Sequence, residues 1–376
     1  MGGICSRARF LLYCAMRVVS LAILSAWTLA LLPGATAGAD GFALVSPSTC
    51  EALAALAGTP EAQSVIRSAE EAMKRAAHPL PVLHTEGTLP HRGIYDQSVE
   101  AARDLPAIRD LALAWRLTGK RAYAESCGLY LASWLGVYRP SLNPIDETRF
   151  DAFLVAFDMV HGSLRAETES RMAGFLREMA EGYLGERDGT RETDRNNWQS
   201  HRVKLGAMAA FSLGDGTLVG RAEAAFRRQL DANLMSDGSV LDFGIRDALH
   251  YVVYDLEPLL TAALAARAHG LEWYRVKNRE GLSLEDALAW LAPYAEGRAT
   301  HEEFLRSAVR FDARRREAGV KGFGGTWDPK GAAVLYHMAA RLDPRWQALA
   351  AGLGKPQAWT VLLLGGIGGS ADPGGR

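Results

Sequence analysis

Arg246-Asp247-Ala248-Leu249-His250-Tyr251-Val252-Val253-Tyr254-Asp255-Leu256-Glu257-Pro258 decides how this chain is read. Wound as a helix at about 100° per residue, Ala248, Leu249, Val252, Val253, Leu256, Leu259 and Leu260 fall on one side. Arg246, Asp247, His250, Tyr251 and Tyr254 fall on the other. A surface helix fills its polar side with Lys, Glu and Gln. This one carries a guanidinium, an imidazole and two phenols, groups that bind carboxylates or move protons. The plainer reading is a buried helix whose Tyr and His are satisfied by neighbours. That suffices for any one of these residues and less well for the set.

Upstream lies Asn196-Asn197-Trp198-Gln199-Ser200-His201. At the start of a helix, Asn197 and His201 are one turn apart and share a face. Asn, His, Arg and Tyr together suit one reaction well, abstraction of a proton next to a carboxylate. That proton has a very high pKa, and removing it requires the carboxylate charge to be neutralised by amide, imidazole or guanidinium donors. A phenol then serves as base, or as acid to the leaving group, if cationic neighbours favour its ionised form.

Around these two stretches the chain reads as helical throughout. Apolar spacing predicts helices over 51–77, 98–134 with a turn at Thr118-Gly119-Lys120, 150–160, 166–183, 203–211, 220–234, 259–270, 284–294, 301–318, 331–341 and 346–353. Period-two alternation is nearly absent, as are composition breaks and Pro/Ser linkers. The expectation is an all-α single domain over 40–376. Antiparallel helix pairs over this length stack as a solenoid or curl into an α/α toroid, and periodicity alone does not choose. An irregular segment from Pro79 to Gly93, with His84, Glu86 and His91, reads as a lid or rim over a cleft, or as an arm packed outside.

The first 39 residues read as a secretory signal. Arg7, Arg9 and Arg17 precede an apolar run from Val18 to Leu32, and Ala37-Gly38-Ala39 is a small-residue cleavage site before Asp40. The mature protein is expected in the periplasm or outside the cell, without a membrane partner. Cys50 and Cys127 remain after cleavage, as a disulfide or as two buried thiols. With 42 Lys and Arg against 43 Asp and Glu, the formal charge of −1 argues against a nucleic-acid partner bound by bulk charge.

Weaker signals surround the two motifs. His301-Glu302-Glu303 lacks the second His of a zinc-protease motif and reads as a helix start. No metal or cofactor is expected. Asp146, Glu147, Asp151, Asp158 and Asp242 supply carboxylates for a hydrolase pair, but none stands out by spacing. Trp115, Trp134, Trp198 and Trp327 are candidate sugar platforms, although a Trp is more often core.

At Asn196-Asn197 and at Ala248-Leu249-His250-Tyr251-Val252-Val253-Tyr254-Asp255-Leu256-Glu257-Pro258-Leu259 the chain resembles the alginate lyase superfamily. These are exported α/α-toroid polysaccharide lyases that cleave uronic-acid polymers. Two positions depart from the superfamily pattern: Trp198 and Val252 stand where it has His. Arg246 also lies only five residues before Tyr251, nearer than the superfamily arginine. The resemblance implies an incomplete α/α toroid acting on polymannuronate or glucuronan. It implies that Asn197 binds the C5 carboxylate with His201 and Arg246, and that Tyr251 is base, acid or both, with Tyr254 able to exchange roles. Trp198, His250, Arg149, Lys321 and Trp327 are candidate substrate contacts. The partner expected is an acidic polysaccharide, bound by a monomer. A glycoside hydrolase on the same toroid and a non-catalytic glycan-binding protein are the competing readings.

Overall fold

The computed structural model describes residues 41–365. The signal segment and its cleavage site lie outside the described residues. In order come α1 (Pro47–Ala52), α2 (Pro60–Ala72), α3 (Tyr95–Ala101), α4 (Asp104–Thr118), α5 (Arg121–Val137), α6 (Phe150–Val160), α7 (Ala166–Tyr183) and α8 (Asn197–Leu213). Then follow α9 (Gly216–Asn233), α10 (Leu241–Arg246), α11 (Leu249–Ala268), α12 (Leu284–Ala295), α13 (Arg310–Glu317), α14 (Ala333–Leu342), α15 (Gln347–Gly352) and α16 (Ala358–Gly365). Among the described residues there are two isolated β-bridges and no strand. None of the described helices is long and apolar enough to cross a membrane.

The helices form an α/α toroid. α4, α6, α8 and α11 succeed one another as its inner staves, with α5, α7 and α9 running back outside them. The reason is compositional. In α8 and α11 nearly every residue after the first turn is buried, as an inner stave requires, whereas α7 and α9 keep one polar side. α7 and α8 approach closely at Gly206, where a Cβ would come within 2.7 Å of the Leu184 side chain. The C-terminal α16, absent from the helices expected by spacing, touches both α14 and α2. Its Trp359 and Leu364 share a small apolar cavity with Val155, Met208, Leu264 and Met338 from four other helices.

Several expected helices are redrawn: 51–77 splits into α1 and α2, the first part of 98–134 into α3 and α4, 259–270 is the second half of α11, and two more differ around the central motif. The decisive stretch is not one helix. α10 ends at Arg246, Asp247 takes a left-handed conformation at φ 51°, and α11 begins at Leu249. The break is held from outside. The Glu303 carboxylate accepts the free N–H groups of Leu249 at 2.9 Å and His250 at 3.3 Å. So His301-Glu302-Glu303 does not start a helix. Residues 302–309 form an irregular strap, and only Arg310–Glu317 is helical. Cys50 and Cys127 are separate buried thiols.

Candidate active site

Two adjoining cavities lie where the inner staves begin. One, of about 270 Å³, is lined by Leu83, Thr85, Ser98, Asp146, Thr148, Arg149 and Tyr254, among others. The other, of about 220 Å³, is lined by Glu86, Thr88, His250, Tyr251, Tyr254, Arg315 and Phe323, among others. Both include Thr85, Tyr95, Ile145 and Tyr254, so they form one cleft. Arg149 and His250 in its walls sit at the N-terminal ends of α6 and α11. The positive ends of two helix dipoles therefore point to this side. The irregular segment is its rim: Thr85, Glu86, Thr88 and Pro90 line it. The rim is fastened by the buried Asp146, which accepts the backbone N–H groups of Thr85 at 2.7 Å and Glu86 at 2.8 Å, and lies 3.0 Å from His84 Nδ1.

Tyr251 and Tyr254 stand one turn apart in the cleft, ring centroids 6.0 Å apart. Arg315 donates to the Tyr251 hydroxyl at 3.1 Å. The Arg246 guanidinium lies over the Tyr251 ring, 3.9 Å from its centroid. Burial raises the Tyr251 pKa, and Arg246 and Arg315 pull it back part of the way. For Tyr254, burial and the neighbouring Tyr251 push the pKa further up, against only Arg149. Of the two phenols, Tyr251 alone has a guanidinium at its oxygen. His250 lines the cleft beside them, and its partial desolvation there, with the charges of Arg315 and Arg246, lowers its pKa.

The first motif sits one layer behind the second. Asn197 is 2% exposed, and its backbone and amide nitrogens donate to Asp242 at 2.7 and 2.8 Å. Asp242 and Asp312 hold Arg246, at 3.6 and 2.6 Å. Asn197 thus reaches Tyr251 through Asp242 and Arg246. His201 is buried with its ring 4.4 Å from that of Tyr254. Its Nδ1 lies 2.7 Å from Thr148 Oγ1, which also accepts from the Lys204 ammonium at 2.9 Å. The threonine hydroxyl has a second lone pair and one hydrogen for the His201 contact, so the histidine tautomer sets the direction of that bond. Nε2 is buried without a hydrogen-bond partner. Burial, then Lys204, drives the His201 pKa well down, with the Tyr254 backbone opposing. That carbonyl is available because Pro258, four residues on, has no N–H to give it.

The other expected contacts divide. Arg149 and His250 line the cleft. Trp198 is half-buried beneath Arg202, 5.7 Å from its ring centroid. Trp327 packs on the main core, and Lys321 is exposed between cleft-lining Val320 and Phe323 without lining the cleft itself. The carboxylates considered for hydrolysis are all engaged. Glu147 accepts from Tyr138, Tyr183 and Ser141, and Asp158 from the backbone of Ala43, Leu44 and Val45. Asp151 pairs with Lys204 at 2.7 Å. Sequence reasoning missed Arg315 and Asp312, because nothing local connects Tyr251 to a residue 64 positions away.

The sequence pattern that defines alginate lyases matches residues 54–301, more than half of the chain. The chain belongs to the alginate lyase family. Both motifs lie inside the matched region. A polysaccharide lyase of Stenotrophomonas maltophilia is 28% identical over 177 residues, which are 46% of this chain and 51% of the relative. The chain thus spans about half the length of this curated relative. An alginate lyase from Bacteroides ovatus superposes with a TM-score of 0.65 at 15% identity, covering 86% of this chain and 98% of that one. A histidine-to-alanine variant of alginate lyase A1-III, an enzyme of Sphingomonas species A1, complexed with tetrasaccharide, superposes with a TM-score of 0.57 at 18% identity, covering 88% and 95%. At such identities the likeness is one of fold, the α/α toroid expected for the family.

Proposed function

We propose that this protein is a polysaccharide lyase that cuts 4-linked uronic-acid polymers, of the polymannuronate or glucuronan type, by β-elimination. The observation that carries the reading is a tyrosine hydroxyl in an open cleft, hydrogen-bonded by one guanidinium and covered by another. The Tyr251 phenolate takes the C5 proton of the uronate. The electron pair of the C5–H bond becomes the C4–C5 double bond, and the C4–O4 bond breaks. The phenol so formed returns its proton to the departing O4, so the enzyme ends as it began. Each group has a stated part. Arg149, with the helix N-termini, draws the polyanion into the cleft. Asn197, through Asp242 and Arg246, and His201, against the ring of Tyr254, stand behind the phenols and fix them, rather than binding the C5 carboxylate directly.

Two further observations bear on the competing readings. The carboxylates a hydrolase would use are committed to the fold, which disfavours hydrolysis. A passive glycan-binding protein needs no guanidinium aimed at a phenol oxygen. The test is a panel of polymannuronate, polyguluronate, glucuronan and hyaluronan, followed by absorbance of an unsaturated uronate product. New ultraviolet absorbance with at least one polymer is expected. Reducing ends without that absorbance would make the protein a hydrolase, and binding without product would make it a lectin. The basic, apolar and small-residue segments before Asp40 support export. N-terminal sequencing of exported material should find a chain beginning near Asp40, and retention of Met1 would refute it.

A further inference from the structure

The guanidinium at the reacting oxygen comes from outside the region that matches the family pattern, which ends at residue 301. Residues 302–325 fold back over the start of α11 and are fastened there independently of Arg315. The Phe304 N–H bonds the Asp247 carbonyl at 2.8 Å, and Ala308 bonds Ile245 at 2.8 Å. The Asp247 carboxylate accepts the Arg306 backbone at 2.9 Å and its guanidinium at 3.1 Å. Glu303 caps α11, as described above. From this strap α13 delivers Arg315 to Tyr251.

The two arginines of the site differ in what they can do. Arg246 is compensated by two carboxylates, Asp242 and Asp312, and meets the face of the ring, where a cation is drawn to the π-electrons. It does not touch the oxygen that changes charge. Arg315 does, at 3.1 Å, in the geometry that favours an oxyanion over a neutral hydroxyl. Its ion-pair neighbour Asp312, at 3.6 Å, is already bonded by Arg246, and Glu86 faces it across the cavity. Phe311 and Phe323 flank it, 4.5 and 4.9 Å from their ring centroids, which fixes the guanidinium without spending its N–H donors. It lines the cleft and has donors beyond the one given to Tyr251.

We propose that Arg315, not Arg246, is the guanidinium that holds the Tyr251 oxygen during proton transfer and receives the uronate carboxylate. This rests on the lyase reading above. Arg246 is then a positioning residue that keeps the ring in place. The charged and titratable groups around Tyr251 are Arg246, Arg315 and Asp312, with His250 and Tyr254 on its own helix and Glu86 across the cavity.

Two measurements on Arg315→Gln and Arg315→Lys test this. The first is the tyrosinate ultraviolet titration of Tyr251, taken as the difference from Tyr251→Phe in each background. It needs no substrate. The second is the pH profile of kcat. In Arg315→Gln the Tyr251 midpoint should rise by about one to three pH units, and the rising limb of kcat should move up with it. KM for the polymer should rise as well. Arg315→Lys should recover part of both shifts, because it restores a charge without the planar fork. An unchanged midpoint and an unchanged kcat profile in Arg315→Gln would overturn the proposal. Failure of the lyase reading looks different: wild-type protein inert on every polymer. A titration that still shifts would then support the Tyr251–Arg315 pair and leave the reaction to be found.

Discussion

Two groups of buried tyrosines serve opposite ends in this molecule. Tyr138, at the end of α5, and Tyr183, at the end of α7, both donate to the Glu147 carboxylate, the former at 2.5 Å. Burial and the charge of Glu147 push both pKa values far up. These phenols are fixed as donors and tie three segments together. Tyr251 is also buried, but guanidinium groups stand at its oxygen and over its ring, and its cleft is open. Burial alone therefore does not separate the two groups. The sign of the charge at the oxygen does, since a carboxylate keeps the proton on and a guanidinium helps it leave, as the proposed role of Tyr251 requires.

The largest effect expected from breaking this contrast is in Tyr251→Phe, which keeps the ring under Arg246 and removes only the hydroxyl. Turnover should fall on the order of 10⁴-fold, the scale of losing a general base, while acidic oligosaccharide still binds. Circular dichroism with the absorbance assay checks this, and a variant within tenfold of wild type would end the case for Tyr251.

Tyr254→Phe comes next. Its hydroxyl has no guanidinium beside it, so turnover should drop by roughly tenfold or less, the worth of one neutral hydrogen bond. An inert Tyr254→Phe beside an active Tyr251→Phe would exchange the roles.

In the other group, Tyr183→Phe strips one donor from buried Glu147. About 1–3 kcal/mol of stability should be lost, seen as a lower midpoint in urea, with activity per folded molecule unchanged. A stable but inactive Tyr183→Phe would show that the contrast is misdrawn.

The smallest effect is in pH. Burial raises Glu257 and Glu303 to about 7 each. Both folded values exceed the unfolded one of about 4.3, so their stabilising contribution is complete below about pH 4 and is lost as pH rises through 7. A base with a raised pKa works in the opposite direction, with rate rising over the same interval. Tm should therefore decline by a few degrees from about pH 5 to 8 while kcat climbs. Glu257→Gln should flatten the Tm slope. Scanning fluorimetry and initial rates on the same buffers would show whether the two trends run oppositely.

How much of this was legible beforehand follows from the range of each interaction. The spacing of Phe150 to Val160 and of Ala166 to Tyr183 predicts α6 and α7 to the residue, because an apolar stripe is a local property. The two motifs were legible for the same reason, since residue types at fixed short spacing carry them. The continuous helix through Arg246 was not right, because a single left-handed residue at Asp247 is stabilised by groups more than fifty positions away.

By itself, then, the sequence determined an all-helical chain, the ends of helices such as α6 and α7, and Tyr251, Tyr254 and Arg246 as the candidates on which the proposed site rests. The tertiary structure alone decided that α16 lies against α2 and α14, and that Asn197 and His201 stand behind the phenols. It alone decided that Asp146 and Glu147 serve the scaffold and that Arg315 reaches the Tyr251 oxygen from a strap. Each of these rests on polar groups meeting across long stretches of chain. Hydrophobic periodicity states which face of a helix turns inward. It does not state which distant side chain will meet a given oxygen there.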